Sequence, residues 1–230
     1  MKRIIALCLM MLLLAGCSGK KDQEYVPENP RLTFTDSTGY FVKAPESPQR
    51  VEVLEGTLAR LWEMAGGTVV SGEFSSKPDF LIGSAQAPEQ VETCKSARKD
   101  GVPAALFALD SFQEYLRILD IFTMITGDED AYVLHGIQQR EAVEEITRSI
   151  MQDQEIKVQV LRDGMVQTDG FVGAMLRDLG AQIVEENPDM VFLIGNQEQD
   201  GVVLDEELFR NPPLDRWADA YGILAEELYG

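Results

Sequence analysis

Basic residues and metal-binding side chains are what this chain is short of. Its 230 residues carry 20 Lys and Arg against 39 Asp and Glu, a formal charge of −19. Nucleic acid and anionic lipid headgroups recruit proteins through basic surface, so both are poor partners and no nucleic acid is expected. His135 is the only histidine, and no cysteine lies near it to complete a zinc-type set. It reads as a surface or packing residue; no metal site and no cofactor are expected. Cysteine occurs only at Cys8, Cys17 and Cys94. The first two belong to the amino-terminal segment considered next, so Cys94 stands alone and an internal disulfide is excluded. No apolar run reaches the roughly 20 residues that a membrane-spanning helix needs. A Gly-x-Ser-x-Gly elbow, a phosphate loop and a Cys–His pair are all missing. Nothing requires catalysis, and no enzyme is expected. Paired acids such as Glu144-Glu145 and Glu226-Glu227 fall on polar helix faces and read as solvated.

What is present starts at the amino terminus. Lys2 and Arg3 precede an unbroken apolar run from Ile4 to Leu14, then Leu14-Ala15-Gly16-Cys17. A basic head, a short apolar stretch and small residues at the cut make a secretory signal peptide over residues 1–16. Cysteine directly after Leu-Ala-Gly is the bacterial lipobox pattern, in which Cys17 is acylated and becomes the first residue. The expected location is extracytoplasmic, lipid-anchored to the bacterial cell membrane. Cleavage leaves 214 residues and removes two positive charges, taking the formal charge to −21. Residues 17–30 are polar, with Gly19, Pro27 and Pro30 and no apolar periodicity, and read as a flexible tether.

The remainder alternates strand and helix signals. Leu32, Phe34, Tyr40 and Val42 alternate with polar residues around Asp36-Ser37-Thr38-Gly39, a hairpin pattern. Val51–Leu54 reads as a strand, Leu58–Ala65 as a helix ended by Gly66-Gly67, and residues 68–71 as another short strand. Asp79–Gly83 suits a strand buried on both faces. Pro88–Lys99 reads as an amphipathic helix, Ala104–Leu109 as a strand, and Asp110-Ser111 opens a helix to Thr126 whose stripe is Phe112, Tyr115, Leu116, Leu119 and Phe122. A long helix follows from residue 128 or 129 to about 152, interrupted only by Gly136. Ile156–Leu161 (strand), Phe171–Leu179 (helix), Met190–Ile194 (strand) and Leu214–Tyr229 (helix) complete the series. This alternation indicates an α/β protein of two small lobes with mainly parallel sheets joined by one long α-helix. The divisions are an amino-terminal lobe over 31–127, the connecting helix over 128–155 and a carboxyl-terminal lobe over 156–230.

Leu32–Val42, Pro48-Gln49-Arg50-Val51, Gly56–Gly67 and Lys77-Pro78-Asp79-Phe80-Leu81-Ile82 resemble the first lobe of an extracellular solute-binding protein. So do Gly170–Ala181, Asn187-Pro188-Asp189 ahead of an apolar strand, and Arg216-Trp217 in the final helix, for the second lobe. The resemblance is to the class with a helical backbone between its lobes, whose members deliver ferric siderophores, haem, cobalamin and related chelates to ABC importers. It implies a monomer that hands a small-molecule metal chelate to an ABC permease and its ATPase, with no chemistry on the ligand. The chain is shorter than the family pattern ahead of Lys77 and after Ala181. Of the acids that dock such receptors, Glu185 and Glu186 are candidates in the second lobe, and Glu73 is a poor stand-in in the first. The shortening leaves open an alternative, a lipoprotein that keeps the fold for an interaction or regulatory role without transport.

In open α/β sheets ligands collect beyond the carboxyl ends of the strands. That rule nominates Glu55, Gly56 and Thr57; Ser84 and Gln86; Asp110-Ser111; Asp169 and Phe171; and Asn196. The final helix adds Arg216, suited to carboxylates of a chelate, and Trp217, suited to a flat ligand. Packing readings stand beside these: Asp110-Ser111 fits a helix cap, Gly56 and Gly170 fit tight turns, Trp62 fits the core, and Phe171 and Trp217 fit packing as well as binding.

Overall fold

The front and rear halves of the chain form separate sheets, and the sheets of each half with their own helices are termed a lobe. The computed structural model describes residues 30–70, 77–150, 156–195 and 200–230. The expected leader, Cys17, nearly all of the tether, Glu73 and Asn196 lie outside the described residues.

The front lobe opens with a hairpin of β1 (Pro30–Thr35) and β2 (Phe41–Pro45). It continues through β3 (Val51–Val53), α1 (Gly56–Met64), β4 (Phe80–Ser84), α2 (Pro88–Lys99), β5 (Ala104–Phe107) and α3 (Phe112–Thr126). Strands β3, β4 and β5 form a parallel sheet in that order. The connecting rod is α4 (Glu129–Tyr132), a π-helical turn (Val133–Ile137) and α5 (Gln138–Ser149). The rear lobe follows as β6 (Lys157–Arg162), β7 (Met165–Gln167), α6 (Phe171–Asp178), β8 (Gln182–Ile183), β9 (Met190–Ile194), β10 (Val202–Leu204), α7 (Glu206–Phe209), a 3-10 turn (Leu214–Arg216) and α8 (Trp217–Tyr229). Its sheet runs β10-β9-β6-β7, parallel except for β7, and β8 pairs in parallel with the start of β6. The expected α/β class with mainly parallel sheets is what the chain adopts.

Local chemistry explains the boundaries. All five residues of β4 are buried. Leu81 meets Cys94, Val102, Ala104 and Leu106 on the side covered by α2, while Phe80 and Ile82 face the main core. Burial pushes the Cys94 thiol up to about 11, which suits a packing residue. Ser111 caps α3 by accepting from the Glu114 N–H (3.2 Å), and Gly127 ends that helix.

Both lobes are built on one unit, and the repeated Pro-Asp dipeptide is its fastener. In the front lobe the Asp79 carboxylate accepts from the Arg50 N–H (3.1 Å), while the Asp79 N–H donates to the Arg50 carbonyl (2.8 Å). In the rear lobe Asp189 makes the same pair with Lys157, at 2.9 and 2.8 Å. Each aspartate thus ties the start of its own strand to the start of the neighbouring one, β3 or β6. A further parallel pairing beside each start is also shared: Val51 with Val69 in front, Lys157 with Gln182 behind. The strand expected over 68–71 is therefore a single bridge at Val69, and its last residue, Ser71, lies outside the described residues.

Three expectations change. Tyr40 does not point inward with Val42. It is exposed, with the Arg98 guanidinium 3.8 Å from its ring centroid, because only Val42 and Ala44 of β2 reach the core. Pro30, placed in the tether, opens β1. The connecting helix ends at Ser149, short of the expected 152, because Ile150 is extended (φ −82°, ψ 126°), and residues 151–155 lie outside the described residues; nor is the helix uniform, since Gly136 sits in the π turn, where a β-carbon would meet the Tyr132 ring at 2.9 Å. The Tyr115 hydroxyl donates to the His135 carbonyl in the same turn (2.8 Å), and burial holds that phenol above its ordinary pKa, so it remains a donor.

Asp36 fastens the front hairpin to the sheet. Its carboxylate accepts from the Thr38 and Tyr40 N–H groups (2.9 and 3.0 Å), from the Leu106 N–H of β5 (3.1 Å) and from Arg98 (2.5 Å). Burial pushes its pKa up, but the hydrogen bonds from Thr38, Leu106 and Tyr40 outweigh that and leave it below the ordinary carboxylate value. Such a group stabilises the fold above its unfolded pKa and loses that contribution as pH falls through its lowered folded pKa. Replacing Asp36 by Ala strands Arg98 and the Leu106 amide and is expected to cost about 3 kcal/mol in urea unfolding at neutral pH. The gap between variant and native protein should narrow as the pH is lowered into the acid range.

Candidate functional site

The loops that leave the carboxyl ends of β3, β4, β5 and β6 converge on one cleft between the lobes. Its cavity is about 350 Å³. From the front come Glu55, Thr57 and Leu58 at the start of α1, Ser84 at the end of β4 with Gln86 beyond it, and Phe107 at the end of β5 with Leu109 and Asp110 beyond it. From the rear come Val160 and Arg162 of β6, Gln167 of β7, Asp169–Gly173 at the start of α6, and Arg210, Asn211 and Pro212 after α7.

Most of these groups are already held in place. The Glu55 carboxylate caps α1, accepting from the N–H groups of Thr57 (2.9 Å) and Leu58 (2.7 Å). Ser84 is fixed by its N–H to the Gln90 amide oxygen (2.8 Å), and its hydroxyl accepts from the Gln86 N–H (3.1 Å). Gly170 precedes α6 with φ +94° and ψ 175°, a conformation essentially reserved to glycine, and so turns the amino end of α6 and Phe171 into the cleft. Arg210 is shared between Asp163 (3.0 and 3.2 Å) and Glu206, and hydrogen bonds to Asp163 and then Glu206 raise its pKa. Arg162 differs: its Nη2 reaches only the Phe209 carbonyl (3.3 Å), and its buried Nε has no hydrogen-bond partner. Its guanidinium lies 5.9 Å from the centroid of Phe171.

Seven nominated residues line the cavity: Glu55, Thr57, Ser84, Gln86, Asp110, Asp169 and Phe171. Gly56 sits between two of them at the start of α1 without lining it. Asn196 is outside the described residues. Two nominations are corrected. Trp217 is fully buried behind Phe171, edge-on at 6.2 Å between ring centroids, so it supports the wall instead of meeting a ligand. Arg216, beside it on the outer surface, pairs with Asp219 (3.0 Å). Glu185 and Glu186 are exposed in the turn between β8 and β9. Sequence reasoning missed Arg162, Gln167, Arg210 and Asn211. Arg162 ends a strand and falls under the rule that found the others; Arg210 and Asn211 follow a four-residue helix that has no periodicity to read. Among the described residues no group of His, Cys, Asp and Glu could hold a metal ion.

No protein-family model matches the sequence, and no curated protein matches it. Solved structures do. An ABC transporter substrate-binding protein from Listeria monocytogenes EGD-e superposes with a TM-score of 0.59 at 12% identity, covering 80% of this chain and 99% of that one. The fold is that of the periplasmic solute-binding proteins. The periplasmic haem-binding protein HutB of Vibrio cholerae gives 0.57 at 16% identity over 79% of this chain and 99% of its own. Helicobacter pylori CeuE, solved with Ni(II) bound, gives 0.59 at 12% identity over 86% of this chain and 89% of its own.

Because Glu55 caps a helix, its removal acts on the empty protein. Glu55→Ala is expected to lower stability by about 1 kcal/mol in denaturant unfolding without any ligand added.

Proposed function

We propose that the chain is the lipid-anchored substrate-binding component of an ABC importer. It captures a ferric siderophore or related metal chelate (haem or cobalamin among them) between its lobes and delivers it to a permease with its ATPase. It acts as a monomer and does no chemistry on the ligand. The observation that carries this reading is a cleft lined from both lobes at the carboxyl ends of parallel strands, in the fold that the solved binding proteins share. The cavity wall favours chelates that bring their own metal ligands: the described lining has no His, Cys, Met or Tyr to coordinate haem iron or cobalt. Cys17 anchors the protein by acylation, and Glu185 and Glu186 supply docking charge. The amino-terminal sequence and the exposure of those two acids support these assignments.

A second reading, a surface lipoprotein that keeps the fold without transport, is favoured by the front lobe's parallel sheet, which has three strands among the described residues. Thermal-shift measurements against ferric siderophores, haem and cobalamin separate the two. A chelate at a hundredfold excess over its Kd stabilises the protein by about 2.7 kcal/mol. No shift with any chelate, in protein shown to be folded, rejects the receptor. Expressed with its leader, the native chain is expected in the membrane fraction, and Cys17→Ser should release it.

A further inference from the structure

Charge bookkeeping in the cleft leaves one group of each sign over. Glu55 is spent on the α1 cap and Arg210 on Asp163 and Glu206, while Asp169 stands 3.8 Å from Arg177. Two cleft charges have no such partner. Asp110, from the front lobe, accepts no hydrogen bond and pairs with no cation among the described residues. Arg162, from the rear lobe, pairs with no carboxylate among them, and its Nε is buried without a partner. The two line the same cavity without forming an ion pair with each other. A charge left unpaired at a partly desolvated wall costs free energy that a ligand of opposite charge recovers. The guanidinium offers planar, paired donors to a carboxylate, and Phe171 beside it offers an apolar face.

We infer that the cleft selects a zwitterionic ligand, whose carboxylate docks on Arg162 in the rear lobe and whose amine or ammonium docks on Asp110 in the front lobe, with its carbon skeleton over Phe171. This rests on reading the cleft as a solute site and narrows the class of solute. A ligand of this kind touches both lobes through charge, so it bridges the two walls of the cleft.

The test uses the full chain and a series of ω-amino acids from 3-aminopropionate to 8-aminooctanoate, with hexanoate and 1-aminohexane as single-charge controls, read by calorimetry and thermal shift. One length in the series is expected to bind at least about tenfold more tightly than either control. Arg162→Gln and Asp110→Asn should each remove that advantage while circular dichroism stays native. Hexanoate binding as tightly as the best amino acid overturns the inference, as does the absence of binding by any member of the series. So does a double-mutant cycle in the ligand-free protein showing that Asp110 and Arg162 stabilise each other, since they would then be partners of each other and not left over for a ligand. A metal chelate that binds native protein and Arg162→Gln alike overturns this inference and leaves the receptor standing. Amino acids that bind where every chelate fails reject the metal-chelate receptor and leave the ligand class in place.

Discussion

Five aromatic rings at the junction of the lobes hold the structure together. Phe112 and Tyr115 of α3 stack at 5.9 Å, and Trp217 of α8 lies 5.3 and 5.5 Å from them. Tyr221 closes on Phe112 at 5.8 Å and Phe171 on Trp217 at 6.2 Å. Each such pair contributes about 0.5–1.5 kcal/mol beyond the area it buries. The front helix, the rear helix and the cleft wall therefore meet in one apolar cluster, and a single core runs from Val42 of the first hairpin to Leu228 of the last helix. Trp217 keeps its indole N–H unpartnered there, a cost that the surrounding ring contacts offset. Lobes that share a core move little against each other, so the cleft is largely preformed.

The same economy governs charge. With acids nearly twice as numerous as bases, few cations are available, and several are committed to internal fastening: Arg98 to Asp36, Arg50 to Asp79, Arg210 to Asp163 and Glu206. The surplus acid lies on exposed faces such as that of α5, where Glu144 pairs with Arg148 at 3.1 Å. Exposed pairs of this kind contribute little. The buried Asp36–Arg98 pair matters more, because it joins the first hairpin to β5.

Much of the architecture was legible in the sequence because period and punctuation agreed. Helix α2 spans the expected Pro88–Lys99, Ser111 caps α3 where a capping residue stood, and the apolar run at Phe80 is a strand buried on both faces. What escaped was short or set by tertiary contact. Strands β7, β8 and β10 have three residues or fewer, too few to show alternation. Tyr40 fits an alternating pattern, yet it turns outward to meet Arg98. Trp217 and Arg216 are neighbours on one helix end, and only the position of α3 decides that the ring is buried and the charge exposed. Within the cleft, the strand-end rule found positions but not partners: it could not tell that Glu55 is occupied by its own helix while Arg162 is left over.

The π turn at Val133–Ile137 places one additional residue in the connecting rod. An α-helix advances about 100° per residue, so that single insertion swings everything beyond it by more than a quarter-turn. Gln139 is the second residue beyond it. Its amide donates to the Asp215 carbonyl (2.8 Å) and accepts from the Ala218 N–H (3.0 Å), pinning the start of the final helix. The azimuth at which the second half of the molecule is mounted on the first is thus written into one local hydrogen-bonding irregularity, and evolution could re-aim the whole mouth by gaining or losing a residue far from it.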